Sequence, residues 1–470
     1  MKKSLFIKAA AIALSAVLTV TGLSGCGKKE ADKDENGRIK ISVGDWPSKE
    51  GTELDNVNAL KERYEKANPQ YVIVPDYWSF ALNTFYAKAA GGNLPMVFKT
   101  NFTEVSQVIS AGYSADLTEM LKKHGLYDKF NKNVFSAVSK DGRMYGFPFL
   151  AYALGMGCNM DLMQAAGLVE ADGTPKQPKD WEEVREFAVK IKEKTGKPGI
   201  VFPSANNSGG WMFMPLAWSY GVEFMKKGDD GKWKATFDCP EAVEALQYIK
   251  DLKWKYDVVP SNALIDNSEY YKLIGTGNAG LYLASSEYSG SVIQYGMEPE
   301  QIGMLAMPKG PKKHITLLGG GVYFVAPNAT EEQIDGALKW LEMSYTPEIS
   351  EDYKLSYVNA VDVKLKKNIA VGVKSMTVWN GETDTVKLRD EVINQKANIN
   401  INHVKHYNDF VEDMGDCQLK PEEPVCAQEL YGILDGCIQE VLTNKDADCA
   451  ALIKKASSDF QMNYLDNADY

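Results

Sequence analysis

The sequence predicts an α/β protein of two lobes, each a mixed sheet flanked by helices, with a hinge between them. Three observations carry that expectation. Strand and helix patterns alternate from Ile39 onward, as in sheets with helices on their faces. The run from Asp141 to Asn159 is aromatic and apolar without helical spacing, opens on the turn signal Asp141-Gly142 and contains Pro148, so it suits an extended crossover. Near 303–326 a second extended segment, punctuated by Pro and Gly, is expected to return the chain. Two lobes joined by such crossings enclose a cleft that can close on a ligand by hinge motion. Taken alone, 141–159 reads equally as a buried strand in a single domain.

A chain of 470 residues holds two or three ordinary domains, and its 24% charged and 44% hydrophobic residues fit a globular protein rather than a disordered or multi-span one. The net charge is −11, and removing Lys2, Lys3 and Lys8 with the leader takes it to −14. An acidic surface argues against nucleic acid and other polyanions. A neutral or cationic solute fits better.

Met1-Lys2-Lys3, the apolar stretch Ala9 to Val20 and the small residues ending at Cys26 form a secretion signal, too short to span a membrane as a permanent anchor. Leu23-Ser24-Gly25-Cys26 resembles a bacterial lipobox, in which Cys26 is lipidated and becomes the mature N-terminus. The charged stretch that follows reads as a flexible tether. The expected organisation is therefore a signal peptide over 1–25, the lipidated N-terminus and tether over 26–37, a first lobe of 38–150 with about 315–350, and a second lobe of 151–314 with about 351–470.

Ile39, Ile41 and Val43 alternate as a strand, and Leu54, Val57, Leu60 and Tyr64 follow at helical spacing until Asn68-Pro69. Val72 to Val74, a helix over Phe80 to Ala90, Met96 to Phe98 and a helix from Thr103 repeat the unit. Ligands of such sheets lie beyond the carboxyl ends of the strands, which here carry Asp45-Trp46, Asp76-Tyr77-Trp78 and Thr100-Asn101. Asp180 and Glu183 cap a helix whose stripe is Trp181, Val184, Phe187, Ala188 and Ile191. The amide- and glycine-rich loop Ala205 to Gly210 ends in Trp211, a core anchor or a ligand platform. Trp218, seven residues on, reads as core.

Gly275-Thr276-Gly277-Asn278-Ala279-Gly280 matches GxGxxG in form, but a polar segment precedes it and a strand follows, the reverse of a dinucleotide site, so no cofactor is expected. Ser285-Ser286-Glu287-Tyr288 ends that strand, facing the cleft. Thr330 with Gln333 forms a capping box, and two apolar helical stripes, Leu430 to Val441 and Cys449 to Phe460, close the chain. Of the six cysteines other than Cys26, the pair favoured for any disulfide is Cys417 with Cys426, and His403 with His406 lacks a third ligand for a metal. The sequence has no HExxH, GxSxG or P-loop, and the adjacent pair Glu422-Glu423 points to different faces of any regular element.

The ordered set Tyr64-Glu65-x-x-Asn68-Pro69, Gly91-Gly92-Asn93-Leu94-Pro95, Asp141-Gly142-Arg143-x-Tyr145-Gly146-x-Pro148, Asn159-x-Asp161 and Ala166-Gly167-Leu168 resembles extracellular solute-binding protein family 1, the sugar-binding lipoproteins of ABC importers. The likeness runs on through Trp181-Glu182-Glu183, Gly275 to Gly280, Pro308-Lys309-Gly310-Pro311 and Gly319-Gly320-Gly321. It departs at Met96, where an Asp is common, and at Cys158, where a Tyr is common, both of which bear on ligand identity. The resemblance implies a periplasmic-binding-protein-like fold (type II) with the closing helices packed on the second lobe, and a monomer on the outer face of the cell membrane. It would capture a mono- or oligosaccharide and deliver it to membrane permease subunits, without catalysis, cofactor, metal or nucleic acid. A sugar has apolar C–H faces and a rim of hydroxyls, suited to an aromatic platform with polar groups beside it. The expected ligand-binding residues are Asp45, Trp46, Trp78, Asn101, Tyr152, Trp211, Glu287 and Trp379, with Tyr152 at the hinge. The alternatives are a secreted carbohydrate-active hydrolase and a binder of a non-sugar solute.

Overall fold

The computed structural model describes residues 31–467, so the expected signal segment and Cys26 lie outside the described residues. The strand Ile39–Val43 pairs in parallel with Tyr71–Pro75 on one side and meets Val97–Asn101 on the other. Helices Thr52–Ala67 and Leu82–Ala90 make the crossovers, as the alternating pattern requires. Antiparallel to these strands runs the long strand Ile315–Val325, which pairs with Val97–Asn101, with the crossover strand Gly146–Ala153 and, through its first residues, with Gln418–Lys420.

A second sheet has the order Ile302–Leu305, Gly155–Asn159, Leu281–Ala284, Ile200–Val201. The chain therefore leaves the first sheet at Ala153 and enters the second at Gly155. It returns between Leu305 and Ile315. The two passages are bound to each other: Leu154 N donates to Leu317 O at 3.1 Å, and the Thr316 hydroxyl to Leu154 O at 2.7 Å. Tyr407, on helix Ile401–Glu412, adds a clamp, its hydroxyl donating to Ala153 O at 2.9 Å and accepting from Ser286 N at 3.2 Å. The turn at Asp141-Gly142 is a hairpin with both residues at positive φ, 52° and 74°.

Local signals hold where they rest on short-range chemistry. Asp180 accepts from Glu183 N at 2.9 Å, and the Thr330–Gln333 box closes in both directions. Gly275 to Gly280 lies between the end of helix Asn267–Gly275 and the start of strand Leu281–Ala284. The closing helices Ala427–Thr443 and Cys449–Phe460 pack on helices Ser208–Tyr220 and Pro240–Trp254 of the second lobe. The expectation for the chain around Trp379 fails. The chain around Trp379 lies on the first lobe: Asn131 N donates to Val378 O, Asn380 N to Lys129 O, and Trp379 stacks on Phe130 with centroids 4.5 Å apart. No disulfide joins Cys417 to Cys426; burial pushes the Cys417 thiol up to about 12, the mark of an inert packed thiol.

His124 ties helix Thr118–Lys123 to helix Glu331–Glu342, donating from Nε2 to Asp335 Oδ1 at 3.0 Å and from Nδ1 to the Glu342 carboxylate. The hydrogen bond to Glu342 outweighs burial and, with Asp335, raises the imidazole above its ordinary value. Asp335, despite burial, is drawn down to about 2 by Lys339, Tyr71 and His124. A raised histidine stabilises fully below its unfolded value near 6.5, and the contribution is lost as pH rises through the folded value; the depressed carboxylate contributes above about 3.9 and is lost as pH falls toward 2. His124→Gln is expected to lose more stability at pH ~6 than at pH ~9, by roughly 1 kcal/mol or more, the scale of a charged hydrogen bond. Urea unfolding of both proteins at the two pH values measures the difference.

Candidate functional site

Between the sheets lies a cavity of about 470 Å³, within the range of small-ligand sites. The first lobe supplies Asn101 at its strand end, Phe149 and Tyr152 from the crossover strand, and Gly319-Gly320-Gly321 from the long return strand. Those glycines are required by close approach: a Cβ would stand 2.3 Å from the Tyr152 ring at Gly319, 2.2 Å from Leu150 O at Gly320 and 2.4 Å from the Phe149 ring at Gly321. The second lobe supplies Tyr271, Ser285, Glu287 and Tyr288, together with the start of helix Ser208–Tyr220.

That helix start is built around carboxylates from far along the chain. Asn206 and Asn207 are left-handed, φ 55° and 67°, a conformation asparagine tolerates. Asp435, on helix Ala427–Thr443, accepts from Asn207 N at 2.6 Å and Gly210 N at 2.7 Å, so the amides opening the helix already hold an anion. The two helices touch at Gly210, where a Cβ would lie 2.3 Å from Tyr431 O. This approach brings Tyr431 to the cavity wall. Trp211, one residue on, is half-buried and donates from Nε1 to Glu422 Oε1 at 2.6 Å. Burial pushes the Glu422 carboxyl up, with hydrogen bonding opposing it. The hydrogen bonding on Glu422 comes from Thr103, Trp211 and Tyr431, and Glu422 Oε2 and the Tyr431 hydroxyl stand side by side as two buried polar atoms at the cavity wall. Glu423 faces the other way, accepting from Trp218 Nε1 at 2.8 Å within the core.

Of the eight residues expected to bind ligand, Asn101, Tyr152, Trp211 and Glu287 come together on this cavity. The other four do not. Trp46 is 4% exposed and stacks on Trp340 at 6.0 Å, because the chain bends at Asp45 (φ 57°) and folds the ring back over helix Glu331–Glu342. Trp379, also 4% exposed, is enclosed by Phe130 and Phe147. Trp78 stacks on Phe85 at 6.4 Å and lies under Lys88 Nζ at 5.6 Å, and Asp45 pairs with Lys99 at 3.8 Å outside the cavity lining. Missing from the expectation are Phe149, Tyr271, Glu422 and Tyr431. Glu422 sits in a segment with no motif, and only its adjacency to Glu423, which must face elsewhere, marked it.

A family profile described as bacterial extracellular solute-binding protein matches residues 49–351, well over half of the chain. The chain belongs to the bacterial extracellular solute-binding proteins. The sn-glycerol-3-phosphate-binding periplasmic protein UgpB of Escherichia coli (strain K12) is 24% identical over 336 residues, 68% of this chain and 73% of that one. The cyclic alpha-maltosyl-1,6-maltose binding protein from Arthrobacter globiformis superposes with a TM-score of 0.61 at 21% identity, over 90% of this chain and 98% of that one. UgpB from Mycobacterium tuberculosis, in complex with glycerophosphocholine, gives 0.61 at 16% identity over 90% and 98%. At these identities the structures establish the two-lobed fold. Proteins of this solute-binding family are extracellular or periplasmic and bind substrates for transport.

Because Trp46 and Trp379 are sealed in the first lobe, Trp46→Ala and Trp379→Ala are each expected to cost about 3–5 kcal/mol of stability through transfer and cavity terms. Trp211→Ala in the ligand-free protein should cost only about 1–2 kcal/mol, since its ring is half-wet and loses one hydrogen bond. Urea unfolding of the three variants ranks them; a Trp211 loss equal to the other two would assign that ring to the core.

Proposed function

We propose that this protein is the capture component of an ABC importer, held to the outer face of the membrane through lipidated Cys26. On this reading its two lobes close on a neutral carbohydrate and present it to permease subunits, and binding is the whole of its chemistry. The observation that carries the choice of ligand is the charge of the cavity. Glu287 and Glu422 line it, and among the described residues no Lys, Arg or His does. The amides at the start of helix Ser208–Tyr220, which elsewhere would seat a phosphate, are taken by Asp435. A phosphorylated ligand, as named for the Escherichia coli relative, would therefore meet carboxylates with no compensating cation. Sugar hydroxyls suit the same groups: Trp211 and Tyr152 offer ring faces, and Asn101, Glu287 and the Glu422 carboxyl offer hydrogen bonds.

A thermal-shift screen over neutral sugars, their phosphates and sn-glycerol 3-phosphate tests the ligand. Neutral sugars should raise the melting temperature and phosphates should not; stabilisation by phosphates alone would overturn the reading. With a stabilising sugar, Trp211→Ala should weaken binding tenfold or more, the worth of about 1–3 kcal/mol of buried ring contact. A product assay on the same sugar separates this reading from a hydrolase, which would consume it. The anchor has its own check: Cys26→Ser should move the protein from the detergent phase to the aqueous phase after expression in its host, and unchanged partitioning would refute lipidation.

A further inference from the structure

The cavity abuts a second, larger one of about 890 Å³, and Thr103 and Gln428 stand in the walls of both. From the first lobe come Tyr86 on helix Leu82–Ala90, and Glu104, Gln107 and Tyr113 from the chain after Asn101. Opposite them, the hairpin Met225–Lys227 with Trp233–Ala235 presents Trp233, half-buried, with Lys227 Nζ at 5.9 Å from its ring centroid. Glu429, in the first turn of helix Ala427–Thr443, completes the rim. The chemistry shares with the first cavity ring faces beside amides, hydroxyls and carboxylates, and adds one cation, Lys227. The Tyr86 hydroxyl donates to Glu104 Oε2 at 3.1 Å and also contacts Gln107, so the polar wall is held in place before any ligand arrives. Burial pushes the Glu104 carboxyl up to about 7, the Tyr86 hydrogen bond opposing and the charges of Glu422 and Glu429 adding. Near neutrality that carboxyl can donate as well as accept, as a hydroxyl partner requires.

We propose that the ligand is an oligosaccharide, with one end beside Trp211 and Glu422 and further sugar units running past Thr103 and Gln428 into the second cavity, against Trp233 and Tyr113. The inference rests on the carbohydrate reading and adds the length of the ligand to it. Units linked covalently make each further contact intramolecular, so affinity must grow with chain length until the second cavity is filled. A monosaccharide could use only the first.

Calorimetric titration of the full chain with gluco-, manno- and xylo-oligosaccharide series, each from monosaccharide to pentasaccharide, tests this in wild type and in Trp233→Ala. Within a series that binds, affinity should rise about tenfold or more once the ligand is long enough to reach Trp233. Trp233→Ala should abolish that rise while leaving the Kd of the shortest binder unchanged, which also shows that the variant is folded. Should it fail to fold, Glu104→Gln, nearly identical in shape, is expected to weaken only the longer ligands. Tightest binding of a monosaccharide, or a rise with length that both substitutions leave intact, would overturn the proposal while sparing the carbohydrate reading. Failure of every saccharide to bind would remove both.

Discussion

The arrangement of the molecule depends on how closely the crossover strand Gly146–Ala153 lies against the return strand Ile315–Val325. Three consecutive glycines permit it. With no Cβ at Gly319, Gly320 and Gly321, the rings of Tyr152 and Phe149 lie across the return strand where a methyl group would overlap them. The same contact lets both strands line the cavity, and it registers the two passages between lobes so that Leu154 and Leu317 bond backbone to backbone. The lobes are thus joined by two strands paired backbone to backbone.

Carboxylates from the end of the chain then organise the opposite wall. Asp435 fixes the start of helix Ser208–Tyr220, Glu422 orients Trp211, and Glu423, buried against Lys420 and Trp218, anchors the segment that bears them. Burial pushes the Glu422 and Asp435 carboxyls up, and the donors around each oppose that shift. The consequence is electrostatic: the helix terminus is neutralised from within, and the cavity is lined by the carboxyl groups of Glu287 and Glu422 with, among the described residues, no cation. Hydroxyl-rich neutral ligands gain from such a surface. Anionic ones lose.

The sequence by itself determined what short-range chemistry determines. Period and capping placed the strand Ile39–Val43, the Asp180 and Thr330 helix starts and the closing helices, and Pro148 with its aromatic neighbours marked the crossover. The glycine run of the return strand was visible as part of an ordered motif set. Strand-end placement and the amide-rich loop also pointed to Asn101, Trp211 and Glu287, because in α/β lobes those positions face the cleft whatever the details. Tertiary structure alone decided which tryptophans face the cavity. Trp46 and Trp379 look like Trp211 in sequence, but Asp45 bends the first back onto Trp340, and the second crosses to the first lobe to lie between Phe130 and Phe147. Glu422 and Tyr431 are separated from Trp211 by some two hundred residues, and nothing local marks a contact made over that distance. Whether a ring is core or platform depends on which distant surface closes over it, and that information enters only when the lobes pack.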